Sequence, residues 1–320
     1  MKKIKLKNTD LNISNIAMGT DSVGSLIKKD DSFALLDYYV AQGGNIIDTA
    51  EVYASWISGG EHASENTIGQ WLNLRKIRNN VIISTKGAHF QLGQNHRLTK
   101  KDIFSDLEGS LKRLKTDYID IYWMHRDSPE VGVEEIVDIL TEAVKQGKVR
   151  YFGMSNWTYD RIDKANQYAK KHGLPPIIAS QIQYSAACPN IENNEPDLVI
   201  MNDKEYDYFK NHDLSVFAFA AQAKGFFSKY QIGKEDALSP KAYDRYLNAK
   251  TIHRYEKLYK ISREHNCSMG AIVLAALYNN YDFDTIPIIG CKTMEHLKDS
   301  LSDSDLILTQ EEMNYIWKVV

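Results

Sequence analysis

The chain has 320 residues, 43% of them apolar and 25% charged, enough apolar sequence for a sizeable core and no sign of intrinsic disorder. Its 39 basic and 42 acidic side chains leave a net charge of −3. That balance gives no electrostatic footprint for nucleic acid or for an anionic membrane surface. No apolar run approaches the ~20 residues of a membrane span, so neither partner is expected.

The N-terminal segment MKKIKLKNTD has lysines with no apolar stretch behind them. It reads as the first strand of a hairpin, not as a signal peptide. Strand-like runs follow at residues 16–20, 45–48, 81–85, 118–124, 149–154, 177–181, 215–219 and 285–289. They are short, and most are rich in Ile, Val, Phe or Tyr, as buried parallel strands are. Helical periodicity fills the gaps at 32–41, 64–74, 99–114, 133–145, 159–171, 252–264, 268–278 and 294–301, and a last helix is expected at about 309–319. Thr99-Lys100-Lys101-Asp102 resembles a capping box, and Gly147 is a stop signal after 133–145. Residues 226–250 are polar and irregular and read as a long loop over one end. The whole chain is expected to form one domain, 1–320.

Eight strands alternating with helices predict a parallel α/β sheet, as a closed (β/α)8 barrel or an open doubly wound sheet. No G-x-G-x-x-G follows any strand, which counts against a dinucleotide-binding open sheet. The pair Gly19 and Gly24 has Walker spacing but lacks the Lys. Cys188, Cys267 and Cys291 are odd in number and far apart, with no C-x-x-C spacing. Neither a zinc site nor a disulfide framework is expected, no metal is assigned, and a reducing cytoplasm is the expected location. The sequons at Asn12, Asn156 and Asn266 are chance matches in that setting.

Polar residues concentrate at one end of the strands. Asp48 ends NIID, Lys86 follows VIIST, His125 follows IDIYWM, Ser155 and Asn156 follow VRYFGM, and Gln181 ends PIIASQ. In a barrel the C-terminal strand ends converge on the active-site face. Taken singly, each has a plain structural reading: a turn Asp, a solvated Lys, a satisfied core His. Five strands repeating the placement point to a site. Tyr53 lies five residues beyond Asp48. A Lys86–Asp48 pair beside Tyr53 is expected to lower the phenol's pKa and make it a general acid and base near neutral pH. His125 would orient a substrate oxygen. No activated nucleophile and no metal-ligand set is evident. His125-Arg126-Asp127 has the letters of the kinase catalytic loop, but Gly132 stands where the Asn belongs and there is no DFG, so that reading fails.

DTAEVY at 48–53, STK at 84–86, WMHRD at 123–127, GKVRYFGMSNW at 147–157 and QIQYS at 181–185 together resemble the aldo-keto reductase family, in order and from about residue 4 to 301. The resemblance implies a (β/α)8 TIM barrel with an N-terminal β-hairpin cap. It also implies NADPH as cofactor, with NADH as the second candidate, and a small-molecule carbonyl or alcohol substrate. It makes Tyr53 the general acid/base, tuned by Lys86 and Asp48, with His125 orienting the substrate. Ser155, Asn156 and Gln181 would hold the nicotinamide carboxamide, Phe219 would lie against its face, and the backbone at Gly19 and Thr20 would line the pyrophosphate. The 2′-phosphate would fall to Lys292 and Thr293, with His296 one turn on. Three departures stand out. Ala220-Ala221-Gln222-Ala223 replaces the usual S-P-L-G. Asp299-Ser300 stands where Glu-Asn commonly meets the adenine. Asp21 takes the place of a frequent Trp. The pocket is expected from Asp21, Trp56, Phe90, Arg126 and Trp157, with His89 nearby. The alternative functions are an NADP(H)-binding regulatory or channel-associated subunit and an unrelated metal-dependent barrel hydrolase.

Overall fold

The computed structural model describes residues 1–90, 97–231 and 234–318. Eight parallel strands close into a barrel. A two-stranded antiparallel sheet precedes them, β1 (Lys3–Lys5) and β2 (Asn12–Ser14). The barrel strands are β3 (Ala17–Gly19), β4 (Ile46–Asp48), β5 (Ile82–Gly87), β6 (Ile119–Met124), β7 (Val149–Ser155), β8 (Ala179–Gln183), β9 (Ser215–Phe219) and β10 (Thr285–Ile289), and β10 pairs back with β3. All eight strands expected from sequence are present, together with the hairpin and the C-terminal helix Gln310–Trp317. Residues 232, 233 and the expected helix end at 319 lie outside the described residues.

The strands read as apolar runs because both faces are buried, and the period of two sorts their side chains. Ile46, Ile82, Ile121, Trp123, Phe217 and Ile286 share one cluster inside the barrel with Leu6, Leu11 and Ile13 of the hairpin. Ile47, Ile83, Tyr122, Met124 and Val216 belong to the outer cluster, against helices such as Lys100–Leu114 and Val133–Lys145. The indole of Trp123 fills the interior so closely that a Cβ on Gly153 would lie 2.3 Å from it. That position on β7 admits only glycine. Continuing the inward alternation past the apolar layer gives Asp48, Ser84, Lys86 and His125, which is how a pleat of hydrophobic strands delivers polar groups to one mouth.

Two segments differ from the sequence expectation. Residues 226–250 hold short helices, Phe226–Lys229 and Pro240–Tyr246, and the start of Ala249–Glu264. Phe226, Phe227, Tyr230, Ala242 and Tyr246 bury in a second core with Leu258 and Ile272. The segment is polar on average, but its few apolar residues are spaced to pack. Helix Asp203–Asn211 was not expected, since its charged outer face hides the buried Tyr208 and Phe209.

Glu205 of that helix is buried. One carboxylate oxygen accepts from the backbone N–H of Tyr159 at 3.2 Å, and the other has no partner among the described residues. Burial, reinforced by Asp160, raises its pKa to about 7 against the pull of the Tyr159 N–H. The folded-state value is above the unfolded one, so protonation favours the fold. That contribution is full below about pH 4 and is lost as the pH rises through about 7. Glu205→Gln is therefore expected to raise the melting temperature at about pH 8 and to change it little at about pH 4. Equal shifts at both pH values would contradict this account of the site.

Candidate active site

The centre is a buried ion pair. Lys86 and Asp48 are each 1% exposed, with Lys86 Nζ 2.6 Å from Asp48 Oδ2. The ammonium also donates to the carbonyl of Thr49 at 2.8 Å and reaches the Tyr53 hydroxyl at 2.9 Å. The other carboxylate oxygen of Asp48 accepts from Ser84 Oγ at 2.9 Å and from Gln181 Nε2 at 3.0 Å. Trp123 Nε1 donates to Ser84 Oγ at 2.7 Å. A connected chain thus runs from the barrel core to the phenol. Such a network is rigid because every member is satisfied.

The backbone past β4 is zipped to β5. Thr49 N donates to Ser84 O at 2.8 Å and Glu51 N to Lys86 O at 3.0 Å. Thr20 Oγ1 donates to Asp48 O at 2.9 Å and shares a hydrogen bond with Ser64 Oγ, which in turn meets Thr49 Oγ1 at 2.8 Å. The loop carrying Tyr53 is held at its far end by His62, whose Nδ1 meets the Glu51 carbonyl at 3.0 Å. Tyr53 is thereby fixed over Lys86, whose Nζ stands 4.6 Å from its ring centre.

The electrostatics correct one expectation. The pKa of Tyr53 is raised above its usual value, by burial first and then by the carboxylates of Asp48 and Asp21. The ammonium of Lys86 does not prevail, because Asp48 neutralises most of its field. Burial lowers the Lys86 pKa while Asp48 raises it. The phenol therefore keeps its proton at neutral pH. His125 is held well below its usual pKa by burial and by Arg126, His89 and Lys86. It is neutral and carries a single ring proton. Its Nδ1 is buried with no partner among the described residues, so Nε2 is the nitrogen it can offer. An orphan acceptor costs less than an orphan donor, which puts the proton on Nε2.

The four catalytic candidates named from sequence thus come together. Sequence reasoning missed Ser84, Trp123 and the Thr49 carbonyl as their supports. Ser84 was within reach, since it precedes Lys86 by two residues and so faces the same way.

The cofactor candidates ring the same mouth. Ser155 and Gln181 are buried side by side in register on β7 and β8. Asn156, at φ 58°, is more committed: its amide reaches the Ser155 hydroxyl and the His125 carbonyl, and its oxygen accepts from Val199 N. Phe219 ends β9 half-buried. Beyond it Ala220, Ala223 and Lys224 all take positive φ, an unusual run for residues with a Cβ. This irregular loop is tied down by Gln222, which donates to Ser300 Oγ at 2.9 Å. Ala220–Ala223 and Asp299-Ser300, separate departures in the sequence, are thus joined in space. Asp299 lies against Gly270, where a Cβ would come within 2.3 Å of its carboxylate. Gly19 is demanded by packing, since a Cβ there would meet Ile288 at 2.9 Å. Lys292, Thr293 and His296 are exposed at the start of helix Met294–Leu301, and Thr293 caps it through His296 N at 3.2 Å. Lys292 and Thr293 line a groove of about 420 Å³ with Lys28 and Leu26. Buried hydroxyls and amides on β7 and β8 and an exposed cationic turn are groups that fit a nicotinamide dinucleotide.

Of the pocket candidates, Trp56 is 61% exposed with its ring 6.2 Å from Tyr53, and Phe90 packs on His89. Asp21 is exposed, and its charge is felt at Tyr53 and Lys86. Arg126 is half-buried and paired with Asp197 at 2.6 Å. Trp157 does not reach the mouth: it is fully buried in the outer core, donating to the Arg126 carbonyl.

The sequence model of the aldo/keto reductase family matches residues 15–320. The chain belongs to that family. An NADP(+) aryl-alcohol dehydrogenase of Phanerodontia chrysosporium is 28% identical, over 96% of this chain and 82% of its own. A putative aryl-alcohol dehydrogenase of Saccharomyces cerevisiae is 25% identical over 99% and 86%, and a norsolorinic acid reductase of Aspergillus flavus 26% over 98% and 79%. A thermostable aldo-keto reductase solved with the inhibitor epalrestat shares the fold at a TM-score of 0.74, with 24% identity over 99% of this chain and 98% of that one. The protein is an oxidoreductase of this family. Among the described residues no helix is long and apolar enough to cross a membrane, and no group of three His, Cys, Asp or Glu is placed to hold a metal ion.

Proposed function

We infer that the protein reduces an aldehyde or ketone to an alcohol, or catalyses the reverse, with NADPH as its cofactor. The observation that carries this reading is the Tyr53 hydroxyl fixed 2.9 Å from the Lys86 ammonium, with the His125 ring 6.0 Å from the phenol. When bound, the nicotinamide supplies or receives the hydride. The chain's own residues do the rest. His125 donates a hydrogen bond to the substrate oxygen and orients it. Tyr53 delivers its proton to that oxygen as negative charge develops, and Lys86 steadies the phenolate left behind. In the oxidising direction Tyr53 takes the proton back. Ser155, Asn156 and Gln181 are the groups for the carboxamide, and Phe219 is the ring for the nicotinamide face.

The names of the relatives make aryl alcohols and aryl aldehydes the first substrates to try. Mixing protein, NADPH and a panel of aryl aldehydes is expected to quench NADPH fluorescence with turnover. Binding of NADPH with no consumption across aldehydes, ketones and sugars would favour a regulatory, cofactor-sensing role instead.

NADPH is expected to be preferred over NADH. The two differ by one 2′-phosphate, and the groups on offer are the Lys292 ammonium, the Thr293 hydroxyl and the N-terminal turn of helix Met294–Leu301. A charge-assisted hydrogen bond is worth about 1.5–3 kcal/mol, which sets the Lys292 contribution at roughly 10- to 150-fold. Measuring kcat/KM for both cofactors in wild type and Lys292→Ala checks this. Equal use of NADH by wild type, or full preference in the variant, would remove Lys292 from the role.

A further inference from the structure

Tyr53 is carried by an excursion of the chain between β4 and helix Ala63–Arg75. One side chain draws its two ends together. His62 Nδ1 lies 3.0 Å from the carbonyl oxygen of Glu51, 11 residues back, and 3.2 Å from the Glu51 carboxylate oxygen Oε1. A carbonyl can only accept, so Nδ1 carries a proton and donates it. Compact surface loops of this length with their ends close together are Ω-loops, and they are frequently functional.

The inner end of the loop is fixed, since Thr49 N and Glu51 N donate to the Ser84 and Lys86 carbonyls of β5. Beyond Glu51 the chain runs through tight turns, with Tyr53 N donating to Ala50 O, Ser55 N to Val52 O, Ile57 N to Ala54 O and Gly60 N to Ile57 O. These bonds across three residues shape the loop without fastening it to the barrel. Two of its residues that carry a Cβ stand in the left-handed region: Ala54, directly after Tyr53, at φ 71°, and His62 at φ 59°. Such strain persists only where the surroundings impose it.

Helix capping does not account for His62. It stands at the N-cap of helix Ala63–Arg75, where Ser, Thr, Asp or Asn would satisfy a free N–H, yet its side chain makes no capping bond. Glycine would hold the left-handed conformation without strain. The imidazole is turned back to Glu51 instead. Burial and then Asp106 push the Glu51 carboxyl up, and His62, ahead of Arg113, pulls it back.

We propose that His62 is a positioning residue for the proton transfer, closing the loop so that the Tyr53 hydroxyl stays at hydrogen-bond distance from Lys86. The proposal rests on the reading of Tyr53 as the acid. A reacting group displaced by about 1 Å can lose as much as 10²-fold in rate. Ser155 and Gln181 stand on β7 and β8 and Lys292 follows β10, so cofactor binding should not depend on the clasp.

The test measures single-turnover reduction of an aldehyde at saturating NADPH, and NADPH affinity by fluorescence. His62→Gly suits φ 59° and removes the clasp. Loss of such a hydrogen bond predicts roughly 3- to 30-fold slower turnover. NADPH affinity should stay near the wild-type value. His62→Asn also tolerates the left-handed region, and its Nδ2 stands where the imidazole Nδ1 stood, so it should restore most of the rate. In a Tyr53→Phe background His62→Gly should slow the residual rate no further, because no hydroxyl is left to place. His62→Asp, shaped like Asn but with no donor and a charge that repels Glu51, repeats the test if the glycine variant does not fold. An unchanged rate in His62→Gly or His62→Asp overturns the proposal while the reductase reading stands. So does an equal loss in His62→Asn, or an equal further loss in the Tyr53→Phe background, since either makes the clasp a support of the fold alone. If wild type reduces no aldehyde, or Tyr53→Phe keeps wild-type turnover, the underlying reading fails, and this proposal with it.

Discussion

Tyr53→Phe is expected to cut carbonyl reduction by about 10²–10⁴-fold while leaving cofactor affinity nearly unchanged. The substitution removes one oxygen and keeps the ring between Trp56 and His125. Among the described residues the hydroxyl meets Lys86, which keeps Asp48 and the Thr49 carbonyl when the hydroxyl is gone. A loss of turnover without a loss of fold therefore isolates the proton transfer. The raised pKa of Tyr53 adds a pH signature. Reduction needs the protonated phenol and should hold a plateau from neutral pH well into the alkaline range. Alcohol oxidation needs the phenolate and should climb over the same range. Single-turnover rates with an aryl aldehyde, and NADPH binding followed by fluorescence, are the measurements. A variant that retains more than roughly a tenth of wild-type turnover, with chemistry limiting, would take the acid–base role from Tyr53.

The sequence made the barrel legible because its signals are local: eight apolar runs with helical periodicity between them. It made the site legible because one polar residue per strand end is a repeated placement. What it hid depends on side chains meeting across long separations. Nothing local says that Trp123 hangs on Ser84 or that Gln222 reaches Ser300, 78 residues away. The sign of the Tyr53 shift was hidden for the same reason. A lysine beside a tyrosine argues for a lowered pKa, but the outcome is set by how completely the site is dried and how closely Asp48 cancels the ammonium. Trp157 shows the converse. Its position beside Ser155 and Asn156 suggests the pocket, yet the alternation of the chain turns it outward into the helix layer. Helices in 226–250 escaped because a buried face of only a few aromatics is too small to show in composition.

Lys86→Met should be the most damaging single change at the site, for stability as well as for chemistry. Lys86 and Asp48 are both almost wholly buried, so removing the ammonium leaves a carboxylate with no counter-ion. Breaking a buried pair from one side costs about 3–5 kcal/mol. Ser84 and Gln181 still donate to Asp48 and should keep the loss within that range. The melting temperature is expected to fall by several degrees. Activity should fall too, because the negative charge of Asp48 then acts on Tyr53 unopposed and pushes the phenol still higher. The residual alcohol oxidation should shift to higher pH, since more alkali is needed to form the phenolate. The double variant Asp48→Asn with Lys86→Met separates the two effects. Neutralising the stranded carboxylate should recover much of the lost stability, because its removal abolishes the uncompensated charge. It should recover little of the activity, because the cation that steadies the phenolate is still missing. Thermal melts and pH–rate profiles of the wild type, both single variants and the double variant complete the cycle. If Lys86→Met alone keeps full activity with an unshifted profile, the pair serves the fold and not the chemistry.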